Sequence, residues 1–507
     1  MVPAEWTLWS VIEVGGVLGL IAFLHVWILL GDDGFWSHRL IAECKANARC
    51  ASELKPGQSW LPGGQVDHGD SQSRSFRQSL PQLVPAAAVM LLVSWGVRWL
   101  SGTAWPASSD KREATARSVA ALPLSVVQLC WRLVSAVGFA WLVLGSESLL
   151  LLAAVTVHWA VVSACLGAQR CVGGARAGGC AGRAMPWLTT AAVWVVACGI
   201  KALAETLKRR IGFWVILAPV ADAAAAAGAP AWATDALVRG AHWLEGGRGS
   251  LPWYSMYGLV LLRLVSWGMD AQWALAQRQS LAEGGETAAA PSKAADAPGS
   301  RAREGADGPL GHAARVAAAH PLAAYGIAPL AGASASASAA VGPPLPSPQR
   351  GCLGCARRTA GSWAALVGYT LYPPTLAAGP VTTYNAWLSH AKRPQTTFGA
   401  AGLAGTVGRA VGLVLCLEAL MQYVPFFSLT KHGAYAGFGP QAVVLLGYTA
   451  ILSLWLKFAA IWATFRVWAL LDGVEVPDDM RRCVANNFSL VDFWKAWHRS
   501  FNLWLVR

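Results

Sequence analysis

The chain has 507 residues, 55% of them hydrophobic and only 13% charged, with 27 Trp and a formal net charge of +13. Soluble domains carry about 25% charged residues, so a soluble enzyme is excluded. A nucleic-acid-binding domain is excluded too, because the Lys and Arg stand in short loops between long apolar runs. What remains is an all-α polytopic membrane protein, with Trp suited to bilayer interfaces and positive charge suited to anionic headgroups.

Leu8 to Leu30 is long enough to span and reads as a first anchor helix. Residues 1–6 carry no Lys or Arg, so it does not read as a cleaved signal. It holds Glu13, read as interfacial, and His25, read as a packing residue. Gly31 to Leu80 is a polar loop that ends in DSQSRSFRQSLP, an amphipathic basic stretch leading onto the membrane. Further spans are Pro81–Leu100, Pro123–Gly145 with Arg132 inside it, Leu149–Gly167 and Trp187–Leu203. A Gly/Arg/Cys-rich loop, Gln169 to Arg183, separates the last two. Lys208-Arg209-Arg210 precedes a weaker apolar run, Ile211–Ala227, and Pro230–Ser250 reads as a surface helix and loop.

Tyr257–Leu275 is the next span. Its Arg263 and Asp270 lie on one helix face about two turns apart, too far to pair, so each needs a partner elsewhere. Gln277 to Gln349 is Ala, Gly, Ser and Pro without apolar periodicity, and reads as a disordered insertion. Ser362–Pro380 is a span interrupted by Pro373-Pro374 and Gly379-Pro380. A broken helix in a membrane faces protein or a water-lined cavity, so YPPTLAAGPVTTYNAW is a candidate cavity wall, or else a kink with no role. Ala400–Val424 and Val443–Leu470 carry Glu418 and Lys457 and complete about ten spans. The division is then 1–276, N-terminal helices and basic loops; 277–360, insertion; and 361–507, C-terminal core.

The 11 Cys show no repeating spacing, and Cys352/Cys355 lacks the second ligand pair that a zinc site needs. Cys165 and Cys416 read as small hydrophobes. No Ser/His/Asp order, phosphate-binding loop or HExxH occurs. The polar features that remain lie in FRVWALLDGVEVPDDMRRCVANNFSLVDFWKAWHRSFNLWLVR, residues 465–507. They are an Arg466/Asp472 pair at a helix exit, a polar turn from Pro477-Asp478-Asp479 to Asn486-Asn487, and His498 in an aromatic helix. Helical spacing puts Trp494, His498, Phe501 and Asn502 on one side, beside an apolar strip of Trp497, Phe501, Trp504 and Leu505. A His on such an edge is dehydrated and neutral, able to take a proton from a hydroxyl or thiol. The alternative is an interfacial His in an aromatic belt.

This C-terminal stretch, and above all FWKAWHRSFNLW, resembles the membrane-bound O-acyltransferase (MBOAT) superfamily. The nearest branch is that of the yeast glycerol-uptake proteins, acyltransferases of GPI-anchor remodelling, with hedgehog acyltransferase as a cousin. DSQSRSFRQSLP, LLRLVSWGMDAQWA and YPPTLAAGPVTTYNAW agree with it in order. The resemblance implies a multi-pass helical bundle in the endoplasmic-reticulum membrane. It implies transfer of a fatty acyl group from acyl-CoA, as co-substrate and with no cofactor or metal, to a hydroxyl of a lipid acceptor such as a lyso-GPI. His498 matches the first of the family's two polar active-site positions. The second, a His on the next hydrophobic helix, falls beyond Arg507, so the expectation is a bundle truncated at its C-terminus, a piece of a longer protein. Trp494, Trp497, Arg499, Asn502, Arg466 and Asp472 are the candidate substrate contacts, with Arg466, Lys495 and Arg499 offered to CoA phosphates. A glycerol transporter lined by Glu13, Arg132, Glu418 and Lys457 is one alternative. An inactive membrane scaffold is another.

Overall fold

The computed structural model describes residues 36–57, 65–102, 126–174, 180–207, 213–249, 251–288, 362–487 and 489–506. The expected first span with Glu13 and His25, the Lys208-Arg209-Arg210 run, Cys352/Cys355 and residues 289–349 of the insertion lie outside the described residues. In chain order the elements are α1 (Trp36–Ala46), α2 (Ala48–Glu53), β1 (Leu54–Pro56), β2 (Gln65–Asp67), α3 (Ser71–Leu100) and α4 (Val126–Leu144). They continue with α5 (Ser148–Gly174), α6 (Cys180–Leu207), α7 (Phe213–Ala226), α8 (Ala231–Gly246) and α9 (Trp253–Ala288). A helix over 362–370, α10, comes next. Then follow α11 (Pro373–Ala377), α12 (Tyr384–Lys392), α13 (Ala400–Tyr423), α14 (Phe426–His432), α15 (Pro440–Leu471), α16 (Leu490–Ala496) and α17 (Arg499–Leu505).

The chain is an all-α polytopic membrane protein. Among the described residues, six helices are long and apolar enough to cross a bilayer: α3, α4, α5, α6, α13 and α15. Hydrocarbon offers the backbone no water, so such runs bond their amides within a helix. Hydropathy alone counts about ten spans, and three of its runs take other forms. Tyr257–Leu275 lies in α9, which carries buried Arg263 and Asp270. Ile211–Ala227 forms only the short α7, and Ser362–Pro380 breaks after residue 370. The Gln169–Arg183 loop is largely helical, since α5 runs to Gly174 and α6 starts at Cys180. Likewise α9 continues to Ala288, past the start of the expected disordered segment.

The described contacts form two compact units. One holds the described residues up to Ala107, with Ala377–Thr382 and those between Arg393 and Asn502. Its first polar loop is folded: a Cys44–Cys50 disulfide closes a turn in which Asn47 caps α2 by accepting from the amides of Arg49 and Cys50. The disulfide was not foreseen, because a six-residue spacing is no recognised motif by itself. Leu40, Cys44, Cys50, Leu54 and Val66 pack on Leu417 and Met421 of α13, Leu429 of α14 and Trp455 and Leu456 of α15. The DSQSRSFRQSLP stretch is not a surface segment. It is the first turns of α3, capped by Asp70, whose Oδ2 accepts from Ser73 N at 2.7 Å. Arg77 makes a two-pronged pair with Glu418 of α13, with Nη2 at 2.7 Å from Oε2. Lys457 of α15 bonds Asp70 at 3.2 Å and Gln72 at 3.0 Å, and its ammonium lies 4.8 Å from the Phe458 ring centre. Both intramembrane charges are therefore neutralised by α3.

The other unit holds the described residues between Ser108 and Leu376, with Thr383–Lys392 and those from Leu503 onward. In it α5, α6 and α9 pack together, and α7 pairs with α8. Glu147 accepts from Arg248 at 2.8 Å and from the amide of Trp253 at 2.7 Å, tying the α4–α5 turn to the α8–α9 connection.

Candidate active site

The broken stretch after α10 is anchored by α9. Arg263 donates through Nη1 to the Thr370 carbonyl at 2.7 Å and through Nη2 to the Thr375 carbonyl. Asp270 accepts from the amide of Asn385 at 3.0 Å, and Ser266 Oγ from that of Tyr384 at 3.3 Å. The two charges two turns apart therefore do not pair. Arg263 satisfies the Thr370 carbonyl that Pro374, having no N–H, leaves without its helical donor, and the Thr375 carbonyl within the break. Asp270 takes an amide at the start of α12, which is why both charges are tolerated among apolar residues. Tyr369, Tyr384 and Trp387 close around the break with ring centres 5.3 to 6.4 Å apart.

In the other unit, the C-terminal motif is not one helix. The helix α16 ends at Ala496, Trp497 is extended, and α17 begins at Arg499. Between them His498 has φ 46°, the one positive φ at a non-glycine among the described residues. Its carbonyl accepts from the amides of Phe501 and Asn502 at 3.0 and 3.1 Å and so starts α17. The imidazole stacks on Trp462 of α15 with ring centres 4.5 Å apart and planes 14° from parallel, and on Phe501 at 5.3 Å. Burial pushes its pKa down to about 4, so the ring is neutral at pH 7, as the dehydrated edge predicts. A neutral imidazole offers one N–H donor and one lone pair.

The break is braced by the polar turn. Met480 and Trp497 form an antiparallel bridge, and Arg481 N donates to Ala496 O at 3.3 Å. Asp479 takes the Arg499 amide on its main-chain carbonyl at 3.1 Å and the Ser500 amide on Oδ1 at 2.7 Å. Burial pushes the Asp479 carboxyl up to about 7, against the Ser500 hydrogen bonds, with Asp478 adding to the rise. Burial also opposes charge on Asp478, yet Arg409, Arg466 and the Met480 amide hold that carboxyl below its usual range. Arg409 reaches Asp478 at 2.7 Å.

The six residues read as substrate contacts are spread over this region. Trp494 is 56% exposed on α16, and the helix break takes it off the His498 face. Trp497 packs against Phe458 and Phe493 at 5.8 and 5.5 Å. Asn502 lies half-buried in α17, and Arg499 is buried. Arg466 and Asp472 do not form the expected pair. Arg466 Nε donates to Val476 O at 3.2 Å, with its guanidinium 5.3 Å from the Phe398 ring centre. Asp472 caps α15, and its main-chain oxygen accepts from Arg98 of α3 at 2.9 Å. Lys495 is exposed. Sequence reasoning missed Trp462, which lies far from His498 along the chain in an unremarkable apolar run. It marked the Asp478-Asp479 turn as polar without assigning it a role. Among the described residues no group of three His, Cys, Asp or Glu could hold a metal ion.

Residues 354–507 match the family model of MBOAT, the membrane-bound O-acyltransferase family. Over 141 residues the chain is 34% identical to a Saccharomyces cerevisiae protein named membrane-bound O-acyltransferase GUP1, covering 28% of this chain and 25% of that one. It is 35% identical over 140 residues to the Schizosaccharomyces pombe protein of the same name, covering 27% and 24% of the two chains. A second S. cerevisiae protein, membrane-bound O-acyltransferase GUP2, is 29% identical over 141 residues, or 28% of this chain and 23% of that one. The matched region spans about a quarter of each of these relatives.

Proposed function

We propose that the protein, whose residues 354–507 match the membrane-bound O-acyltransferase family model and are similar to the GUP1 proteins, moves a fatty acyl group from acyl-CoA to a hydroxyl of a lipid acceptor within the membrane. The observation that carries this reading is His498: a neutral imidazole clamped between Trp462 and Phe501 at a helix break, inside the matched region. In such a transfer the acceptor oxygen bonds the thioester carbonyl carbon, the C–S bond breaks, and the hydroxyl proton ends on the departing thiol. Charge develops on the carbonyl oxygen, where a preorganised donor lowers the barrier most. His498 supplies that donor through its ring N–H, or orients the acceptor hydroxyl through its lone pair. Proton removal belongs to the second His that the family resemblance implies.

The lipid acceptor in this reading is a lyso-form of a GPI anchor, and the site of action is the endoplasmic-reticulum membrane. The Cys44–Cys50 disulfide supports that location, since disulfides persist on the oxidising side of the secretory membranes. The exposed Lys495 is the side chain offered to CoA phosphates. The test is acyl transfer from labelled acyl-CoA in membranes carrying the full-length protein. His498→Ala lowers turnover roughly a hundred-fold, the scale of losing one oxyanion donor. Unchanged turnover removes His498 from the mechanism.

A further inference from the structure

The backbone at His498 adopts a conformation that L-residues avoid, φ 46°, and such a residue persists only where its surroundings over-determine it. The two donors that would otherwise be orphaned at the start of α17 are the amides of Arg499 and Ser500. Both go to one residue from outside the motif: the Arg499 amide to the Asp479 carbonyl and the Ser500 amide to Asp479 Oδ1. Asp479 is 1% exposed, and its Oδ2 has no hydrogen-bond partner among the described residues. A carboxyl that no ion pair explains is thus spent on the turn that carries the imidazole. Ser500 is locked from its other side, where its Oγ accepts from the Val381 amide at 2.8 Å.

We propose that Asp479 is the positioning residue of His498: by accepting the amides that follow the histidine it holds the helix break open, and so keeps the imidazole stacked on Trp462. The inference rests on the reading of His498 as an acyl-transfer residue, but the geometry it asserts is testable without that reaction. The full chain in detergent is treated with diethyl pyrocarbonate, and carbethoxylation of His498 is followed by mass spectrometry of its peptide. In the wild type the stacked ring reacts slowly. Asp479→Ala speeds modification of His498 roughly ten-fold, as expected when the supporting shell of a site is loosened, while the other histidines keep their rates. Asp479→Asn keeps an acceptor for Ser500 and recovers most of the difference. Should the alanine variant not fold, Asp479→Glu displaces the carboxyl by one methylene and raises the His498 rate in its place.

The activity arm reads the same variants. Asp479→Ala lowers kcat roughly a hundred-fold, the cost of about 1 Å of misplacement, with KM for acyl-CoA unchanged, and Asp479→Asn restores most of kcat. An unchanged His498 modification rate in a folded Asp479→Ala protein overturns the proposal. If the wild type transfers no acyl group at all, the acyl-transfer reading falls, while the modification rates still decide the role of Asp479.

Discussion

Arg77 and Glu418 are the sharpest test of how this protein keeps charge inside a bilayer. Arg77 lies on α3 and Glu418 inside α13, a helix of spanning length, with side chains only 11% and 12% exposed. The contact is two-pronged, Nε to Oε1 and Nη2 to Oε2. Each hydrogen bond to an ionised group is worth about 1.5–3 kcal/mol. Arg77→Met or Glu418→Met alone also leaves the other charge buried without its partner, so each single change costs about 3–5 kcal/mol. The double replacement removes both charges at similar side-chain volume and lies within about 1 kcal/mol of the wild type. The assay is reversible unfolding in mixed micelles, read as a double-mutant cycle. Additive costs would refute the reasoning. They would mean that each charge is solvated on its own, as along a water-lined transport path.

The pH dependence of stability carries two opposed signatures. His498 titrates at about 4 when folded against 6.5 when free. The unfolded chain therefore binds the extra proton, and stability present above pH 6.5 is lost as the pH falls through that window; His498→Asn flattens this slope. Asp479 titrates at about 7 when folded against 3.8 when free, so here the native chain holds the extra proton, and stability falls as the pH rises between those values. Asp479→Asn becomes progressively more stable than the wild type across that range in thermal melts. Cys44→Ser with Cys50→Ser lowers stability by about 2 kcal/mol, the loop-closure value for so short a loop, and in the wild type both thiols react with maleimide only after reduction. Gly473→Ala, at φ 80° with Pro394 Cβ 2.8 Å from the added methyl, costs at least about 1–2 kcal/mol in the same unfolding assay.

Hydropathy alone was enough to determine the membrane class and the position of most spans, because a run of apolar side chains in hydrocarbon has one local solution, the helix. The broken stretch at Pro373-Pro374 was also legible, since proline removes a donor wherever it stands. The motif FWKAWHRSFNLW pointed to His498, and burial made its imidazole neutral as its aromatic surroundings foretold. The tertiary structure alone decided what partners each charge. Arg77 meets Glu418, and Asp70 and Gln72 meet Lys457, all more than three hundred residues away along the chain. Helical spacing likewise failed at His498 itself. The 3.6-residue period assumes that a helix is governed by its own hydrogen bonds, and here the amides of Arg499 and Ser500 are taken by Asp479 instead. No local pattern encodes that competition, because its winner is fixed only when the two segments meet.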